Sequence, residues 1–389
     1  MEKYSAFRDP GTGIQPFLPP VHPQGFESCA ATILKPAAYI LGAIRTLLVL
    51  ALVITYIVVV RGVCILLSPV PPLYRVVSYY TTAIILRLIL FTVGLYWIPV
   101  EVVKRKRGRA SIKEVWNPKA GDVIISNWIS WLEIAWVALR YNALFVLPVT
   151  APVENTSSPG PSSPGVTSGR KIGLGVAAVT VHSREHTPTK RADILGFTEI
   201  SLMRMIMICG CVPPYGLARA GMSPLSFSEV ITRAKKTGRP IALYPECTTS
   251  NGRGLLRFSN LLKNIPVPVK NFNVFIMCAR VDPPTALSPT LSIPIPSSRQ
   301  VFNPIPHIFS VSSSIMPHTL SVRLLAPSQS PSSASFLISE VLSGNTGGDD
   351  VFSEVCATLM TELGRLKRTG MGWEDKTMFL EFYRGKDGR

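Results

Sequence analysis

Two stretches of this chain hold side chains whose types and spacing could do chemistry. In "ALYPECTTSNGRGLLRFS" (242–259), Glu246 precedes three hydroxyl residues, Thr248, Thr249 and Ser250, and an Asn251-Gly252 turn. Arg253, Arg257 and the nearby Lys263 follow. Hydroxyls, turn amides and guanidinium forks are the groups that hold a phosphate monoester. The competing reading is a plain strand-to-helix loop that caps itself with its own side chains. In "IISNWISWLEIAW" (124–136), an apolar run passes through Asn127 and Trp128 into a segment carrying Glu133. Polar groups at such a junction often mark a site, because the backbone there is freed for ligands.

The residues of "YPECTTS" resemble the third box of the PlsC-like glycerolipid acyltransferases, which reads Phe/Tyr-Pro-Glu-Gly-Thr-Arg-Ser. Tyr244, Pro245, Glu246, Thr248 and Ser250 match it, while Cys247 replaces the glycine and Thr249 the arginine. The family's first box, Asn-His-x-x-x-x-Asp, opens a helix after a strand. Here "NWISWLE" lies in that slot about 120 residues upstream, with Asn127 retained. With "EKYSAFRDPGTGIQPFLPP" near the start and the "TTSNG" variant of the third box, the chain is most similar to a fungal branch acting on lysophosphatidic acid and oleoyl-CoA.

That resemblance implies an α/β fold, a glycerol-3-phosphate acyltransferase-like mixed sheet with flanking helices, preceded by an N-terminal transmembrane helical hairpin. It implies acyl transfer from acyl-CoA, a co-substrate rather than a cofactor, to lysophosphatidic acid or a related lysophospholipid, giving phosphatidic acid. The setting it implies is the endoplasmic reticulum membrane and lipid droplets, with the catalytic domain facing the cytosol. In the family the first-box His takes the acceptor's proton and the Asp orients it, with no protein nucleophile. The third box shapes the phosphate and acceptor site, here Glu246, Cys247, Thr248, Thr249, Ser250, Asn251 and Gly252. The second box supplies an arginine, for which Arg219 of "CVPPYGLARAG" is the candidate.

The dyad is altered in this chain. Trp128 stands in the place of the His and has only an N–H to donate. Glu133 keeps a carboxylate, one methylene longer than the Asp. Three readings stand. Glu133 acts as the base beside Asn127, its pKa raised by the greasy surroundings of Trp128, Trp131 and Trp136. A distant histidine, His182 or His186, folds into the site. Or the chemistry is lost and a degenerate pocket binds lipid in droplet or trafficking work. The three tryptophans read chiefly as packing residues, and His307 and His318, in Pro/Ser surroundings, as surface residues.

Composition bounds what must position these groups. The chain has 389 residues, 47% hydrophobic and 16% charged, with a mean hydropathy of +0.29. That is too apolar for an ordinary soluble enzyme, and a net charge of +17 favours anionic partners. No nucleic-acid motif accompanies the charge, so a membrane is the expected partner. The seven cysteines are scattered, without metal-ligand spacing, and read as reduced thiols. "GLG" at 173–175 lacks what a nucleotide-binding turn needs.

Residues 1–37 read as an extended segment, and Arg8 precedes any apolar run, unlike a cleavable signal peptide. Residues 38–103 form the membrane hairpin, with helices near 38–67 and 78–100. "TLLVLALVITYIVVV" between Arg45 and Arg61 spans about 22 Å as a helix and favours insertion by about 4 kcal/mol, with both arginines snorkelling outward. Arg87 in the second run costs about 3 kcal/mol unless it lies shallow or is paired. "KRKRGR" (104–109) is expected to grip anionic lipid on the cytosolic side.

An acyltransferase-like domain follows over 104–330, and a helical segment over 331–389. Strands are expected at 121–126, 143–149, 239–246, 273–281 and 319–325, and helices at 130–140, 196–210, 226–238 and 350–367. The C-terminal "GWEDKTMFLEFYRGKDGR" is amphipathic. A Ser/Pro-rich insertion at 150–170 contains the sequon Asn155-Thr156-Ser157, silent on the cytosolic side, and a Pro-rich loop spans 283–306. The two polar strand ends are expected to converge on one lipid-handling cleft.

Overall fold

Residues 123–125, 241–243 and 274–279 are apolar at every position and buried, the mark of strands covered on both faces. The computed structural model describes residues 2–22, 28–67, 69–105, 114–150, 191–215, 224–263, 265–298, 302–342 and 350–387. Seven strands are β1 (Val100–Val103), β2 (Val123–Ser126), β3 (Leu144–Thr150), β4 (Ile194–Ile200), β5 (Ile241–Leu243), β7 (Val274–Val281) and β8 (Leu320–Leu325). They form one sheet in the order β1-β8-β7-β2-β5-β3-β4. The central β7, β2, β5 and β3 run parallel, with antiparallel pairs at β3–β4 and β7–β8. A short parallel pair, β6 (Gly254–Leu255) and β9 (Lys367–Arg368), lies apart. The helices are α1 (Ser28–Tyr56), α2 (Pro71–Thr92), α3 (Trp131–Tyr141), α4 (Leu202–Met207), α5 (Phe227–Thr237), α6 (Ile305–Ser312), α7 (Val351–Gly364) and α8 (Trp373–Asp387). The chain is thus α/β, with a mixed seven-stranded sheet and flanking helices.

Alternate strand residues point to opposite faces. Ile124, Phe145, Ala242, Phe275 and Met277 pack in one core with Leu90 of α2, Leu132 of α3 and Ile308 of α6. Val123, Ile125, Leu243 and Ile276 pack in the other with Val230 of α5 and Leu359 of α7. Local signals set the helix ends. Ser226 and Glu229 form a capping box on α5, and Gly238 ends it in the left-handed region.

Ile33–Val60 and Pro72–Thr92 are long and apolar enough to cross a membrane. Each also has a protein-facing side. On α2, Ile85, Leu86, Ile89 and Leu90 are buried, while Leu73, Val76, Tyr80, Ile84, Leu88 and Phe91 form an exposed stripe at helical spacing. On α1, Thr46, Val49 and Tyr56 are buried and Ile40, Ile44, Leu47, Leu48 and Ile54 are exposed. The helices lie along the domain. Tyr79 Oη donates to Arg140 O at 3.4 Å, and Arg75 to Lys236 O at 3.1 Å.

Several expectations are corrected. α1 begins at Ser28, well inside the segment read as extended. Arg45 does not snorkel outward; it donates to Ser314 O at 2.8 Å. Arg87 is paired, donating to Tyr96 O at 2.7 Å, which relieves its cost in an apolar setting. Of "KRKRGR", Lys104 is ion-paired with Glu114 at 3.0 Å and Arg105 with Glu362, so these two are engaged with carboxylates; residues 106–109 lie outside the described residues. The segment 196–210 is not one helix. Residues 194–200 pair antiparallel with β3, and Ser201 then caps a helix of six residues. The Pro-rich loop expected over 283–306 runs at its end into α6, which begins at Ile305. His318 is buried and hydrogen-bonded to Val311 O at 2.9 Å.

Candidate functional site

β2 and β5 are parallel neighbours, so their carboxyl ends, followed by "NWIS" and "YPECTTSNG", emerge side by side. Open α/β sheets place ligands beyond this edge. The two ends are joined by hydrogen bonds. Glu246 Oε2 accepts from Trp128 N at 2.6 Å, and its Oε1 from Leu256 N at 2.8 Å. Glu133 Oε1 accepts from Ile129 N at 2.5 Å and Ser130 N at 2.7 Å. Three consecutive amides, 128 to 130, therefore serve the two carboxylates. Ser130 and Glu133 form a capping box that starts α3.

Both carboxylates are wholly buried. Burial pushes the Glu133 carboxyl up to about 8 against its two amide bonds. Burial likewise pushes Glu246 up to about 8, with the Glu133 charge adding to it. Glu133 Oε2 has no hydrogen-bond partner, and neither has the buried Tyr244 hydroxyl. The Trp128 ring is also buried, 5.3 Å from the Tyr244 ring. Its N–H has no partner of ordinary geometry and leans on the Cys209 thiol, whose own pKa burial drives well up. Buried polar atoms without partners are rare in folded proteins and cluster where function demands them.

The other sequence candidates are placed as follows. Asn127 turns to β7, where its amide donates to Ala279 O at 3.0 Å and accepts from Ala279 N at 2.8 Å. It extends the β2–β7 ladder by one residue and does not face the carboxylates. Cys247 sits at φ +55°, a left-handed backbone that favours the glycine of the resembled box. Its thiol contacts Ser259 Oγ at 2.9 Å. Thr248 Oγ1 donates to Cys211 O at 2.8 Å, and Thr249 Oγ1 donates to Ile293 O. Ser250 N donates to Trp128 O at 3.0 Å. Gly252, at φ +73°, completes the turn against Ile129. The hydroxyl protons of Thr248 and Thr249 and most of the loop's amides are thus committed to protein acceptors, while Ser250 Oγ accepts from Gly252 N at 3.2 Å. Arg257 is engaged with Glu374 at 3.3 Å. Arg219, His182, His186 and Asn155 lie outside the described residues.

Three contacts of the site escaped the sequence reading, two at this loop and one at α3. Lys376 of α8 is wholly buried, and its Nζ donates to Thr248 Oγ1 and Thr249 O, both at 2.7 Å. Thr249 stands where the resembled box has arginine, so a cation reaches this point from another part of the chain. The signal was there: Lys376 lies on the apolar stripe of α8 with Trp373, Phe379 and Leu380, an unusual place for a lysine. The segment near the start makes the second. Asn251 Nδ2 donates to Gln15 O at 2.8 Å and Leu18 O at 3.0 Å. His307 is the third, on the far side of the α3 start. It accepts from Trp131 Nε1 at 3.2 Å and contacts Thr290 O at 3.2 Å, and burial lowers its pKa to about 4. The surface reading of His307 fails because the Pro-rich loop packs on box one, with Ile293 N donating to Ile129 O at 2.9 Å.

The two strand ends thus converge, and two cavities lined by described residues lie elsewhere. A cavity of about 600 Å³ beside α1 and α6 is lined by Thr46, Phe302, Ile305 and Phe309. Another, of about 450 Å³, is lined by Lys104, Arg105, Glu340 and Glu362. Neither includes Glu133 or Glu246. Among the described residues no group of His, Cys, Asp and Glu is arranged to hold a metal ion. Compared with known proteins, the chain matches no family model, no curated protein and no solved structure, and its site stands on its own geometry.

Proposed function

We propose that this chain is a membrane-bound acyltransferase that moves a fatty acyl group from acyl-CoA to lysophosphatidic acid, or a related lysophospholipid, giving phosphatidic acid. The observation that carries this reading is that, at the joined ends of β2 and β5, Glu133 Oε2 and the Tyr244 hydroxyl are both buried and unpartnered, with the Glu133 charge near enough to act on Tyr244. Glu133 is the base. Its Oε2 takes the proton as the acceptor hydroxyl attacks the thioester carbonyl; the C–O bond forms, the C–S bond breaks, and CoA leaves as the thiol once protonated. With a pKa of about 8, roughly one carboxyl in ten is ionised at pH 7. Glu246 holds the first box in place through Trp128 N.

The hairpin supports a membrane setting. Its exposed stripes, Leu47 and Ile54 on α1 and Ile84 and Leu88 on α2, present apolar side chains outward while the opposite faces pack on the domain. A hairpin packed along α3 cannot cross the bilayer without drawing the sheet in with it. We therefore read it as lying in one leaflet, sunk by about 5–10 Å, where lysophospholipid already resides. The endoplasmic reticulum and lipid droplets are the surfaces proposed.

The enclosure of both carboxylates favours a second reading, a degenerate relative that binds lipid in droplet or trafficking work without turnover. One assay separates them. Washed membranes carrying the protein receive labelled oleoyl-CoA and lysophosphatidic acid. The enzyme makes phosphatidic acid above empty-vector membranes, and Glu133→Gln abolishes the gain. Equal signal from wild type and empty vector rejects the enzyme.

A further inference from the structure

Lysine is almost never fully buried, because its ammonium must be desolvated. Lys376 is, and its amine meets oxygen on all sides: Thr248 Oγ1 and Thr249 O at 2.7 Å, and Thr249 Oγ1 at 3.5 Å. The two hydroxyls pass the connection on, Thr248 to Cys211 O after α4 and Thr249 to Ile293 O before α6. One side chain of α8 therefore ties together three segments that surround the third-box loop. We propose that Lys376 is a positioning residue of the candidate site, fastening Thr248-Thr249 and thereby seating Glu246 against Trp128 at the end of β2. Its hold on the loop stands on geometry alone; its part in acyl transfer rests on the function proposed above.

The groups facing the amine decide its electrostatic effect. From after α4 come the Cys209 and Cys211 thiols, and from after β5 the Glu246 carboxyl. On α8 itself, Glu374 and Asp375 turn to Arg257, at 3.3 and 3.9 Å. Glu246 is thus the carboxylate that feels Lys376, and the amine favours its ionised form. Without the amine, Thr248 Oγ1 and Thr249 O lose their donor in a dry interior, where an unmet acceptor is costly. The loop then shifts, and the carboxyl pair holds its proton to higher pH.

The test uses the full chain in washed membranes. Lys376→Met keeps the side-chain length without the amine, and Thr248→Val keeps the shape but removes one acceptor. The first readout is maleimide labelling of the buried Cys211 and Cys247, followed by peptide mass spectrometry, which needs no activity. Labelling is expected to quicken about tenfold or more in Lys376→Met and about threefold in Thr248→Val, with no further gain in the double variant. Rates within about twofold of wild type in both variants overturn the clamp. The second readout is the pH profile of phosphatidic acid formation, whose rising limb is expected to move in Lys376→Met, because Glu246, which the amine faces, then alters its hold on the first box that carries Glu133. Faster labelling with an unmoved limb overturns the positioning role and leaves a structural brace. Absence of turnover in wild type rejects the proposed function, while labelling still judges the clamp.

Discussion

Glu133→Gln separates two roles that this residue combines. The glutamine carbonyl oxygen can accept from Ile129 N and Ser130 N as Glu133 Oε1 does, and glutamine suits the capping box as well as glutamate. Helix α3 therefore keeps its start. What changes is the proton. In the folded chain the carboxyl titrates at about 8, against an ordinary value of 4.5. Between those pH values the unfolded chain releases the proton and the folded chain keeps it, so stability falls as pH rises through this window. At 1.36 kcal/mol per pH unit the full penalty is about 5 kcal/mol, reached above pH 8 and absent below pH 4.5. The variant escapes it. With an unfolding entropy of about 2.1 cal/mol/K per residue over the chain, 5 kcal/mol moves the midpoint by about 6 °C. Thermal unfolding in detergent at pH 5 and pH 8.5 checks this. Glu246 contributes a slope of the same sign to both proteins, smaller in the variant because the Glu133 charge is one of the causes that raise it. The difference between them therefore reports Glu133 together with its coupling to Glu246. Parallel pH dependences would refute the buried-proton argument. Acyl transfer is expected to fall about 10²–10⁴-fold in the same variant. A folded glutamine variant with the wild-type rate would remove Glu133 from the chemistry.

Other outcomes follow from the same geometry. Glu246→Ala leaves Trp128 N and Leu256 N without acceptors, at about 1–3 kcal/mol each, and denaturant titration should show a loss of about 2–6 kcal/mol; Glu246→Gln should lose far less. Trp128→His trades a buried ring for a smaller one, destabilising by about 2–3 kcal/mol. It also puts an imidazole beside Glu133, so the initial rate of phosphatidic acid formation should rise; a folded variant with no gain counts against the proposed chemistry. Introducing lysine at Leu47, Ile84 and Leu88 together puts three charges on the outward stripes, at up to about 3 kcal/mol each. Vesicle flotation should drop about tenfold or more, and unchanged flotation would reject the leaflet placement.

Much of the fold was legible because its signals are local. Ser226 and Glu229 open α5 with their side chains and Gly238 closes it with a left-handed backbone, and the apolar runs of β7 and β8 need no context to be read as strands. The segment 196–210 was misread because "ILGFTEI" is a strand only by virtue of its partner β3, which periodicity does not reveal. At the site, the pairing of Glu246 with the first box lay within reach of motif and spacing. The roles of Asn127 and the loop hydroxyls did not. Asn127 finds its partner Ala279 at a separation of 152 residues, and Thr249 finds Ile293 by the folding of a Pro-rich stretch that reads as loop. Lys376 shows the remedy: a cation on an apolar helical stripe is a question the sequence does pose.

The loop at 246–252 is clasped from both directions along the chain. Asn251 reaches 236 residues back to Gln15, and Thr248 is gripped by Lys376 from 128 residues ahead. During synthesis α1 and α2 leave the ribosome early and, in the membrane setting proposed above, would meet lipid while this loop still lacks its second clasp. The loop receives that clasp only when α8 has been made and Lys376 has reached Thr248 and Thr249. On the function proposed above, membrane arrival and completion of the candidate site are therefore separate events in the life of each molecule, and the second waits on α8.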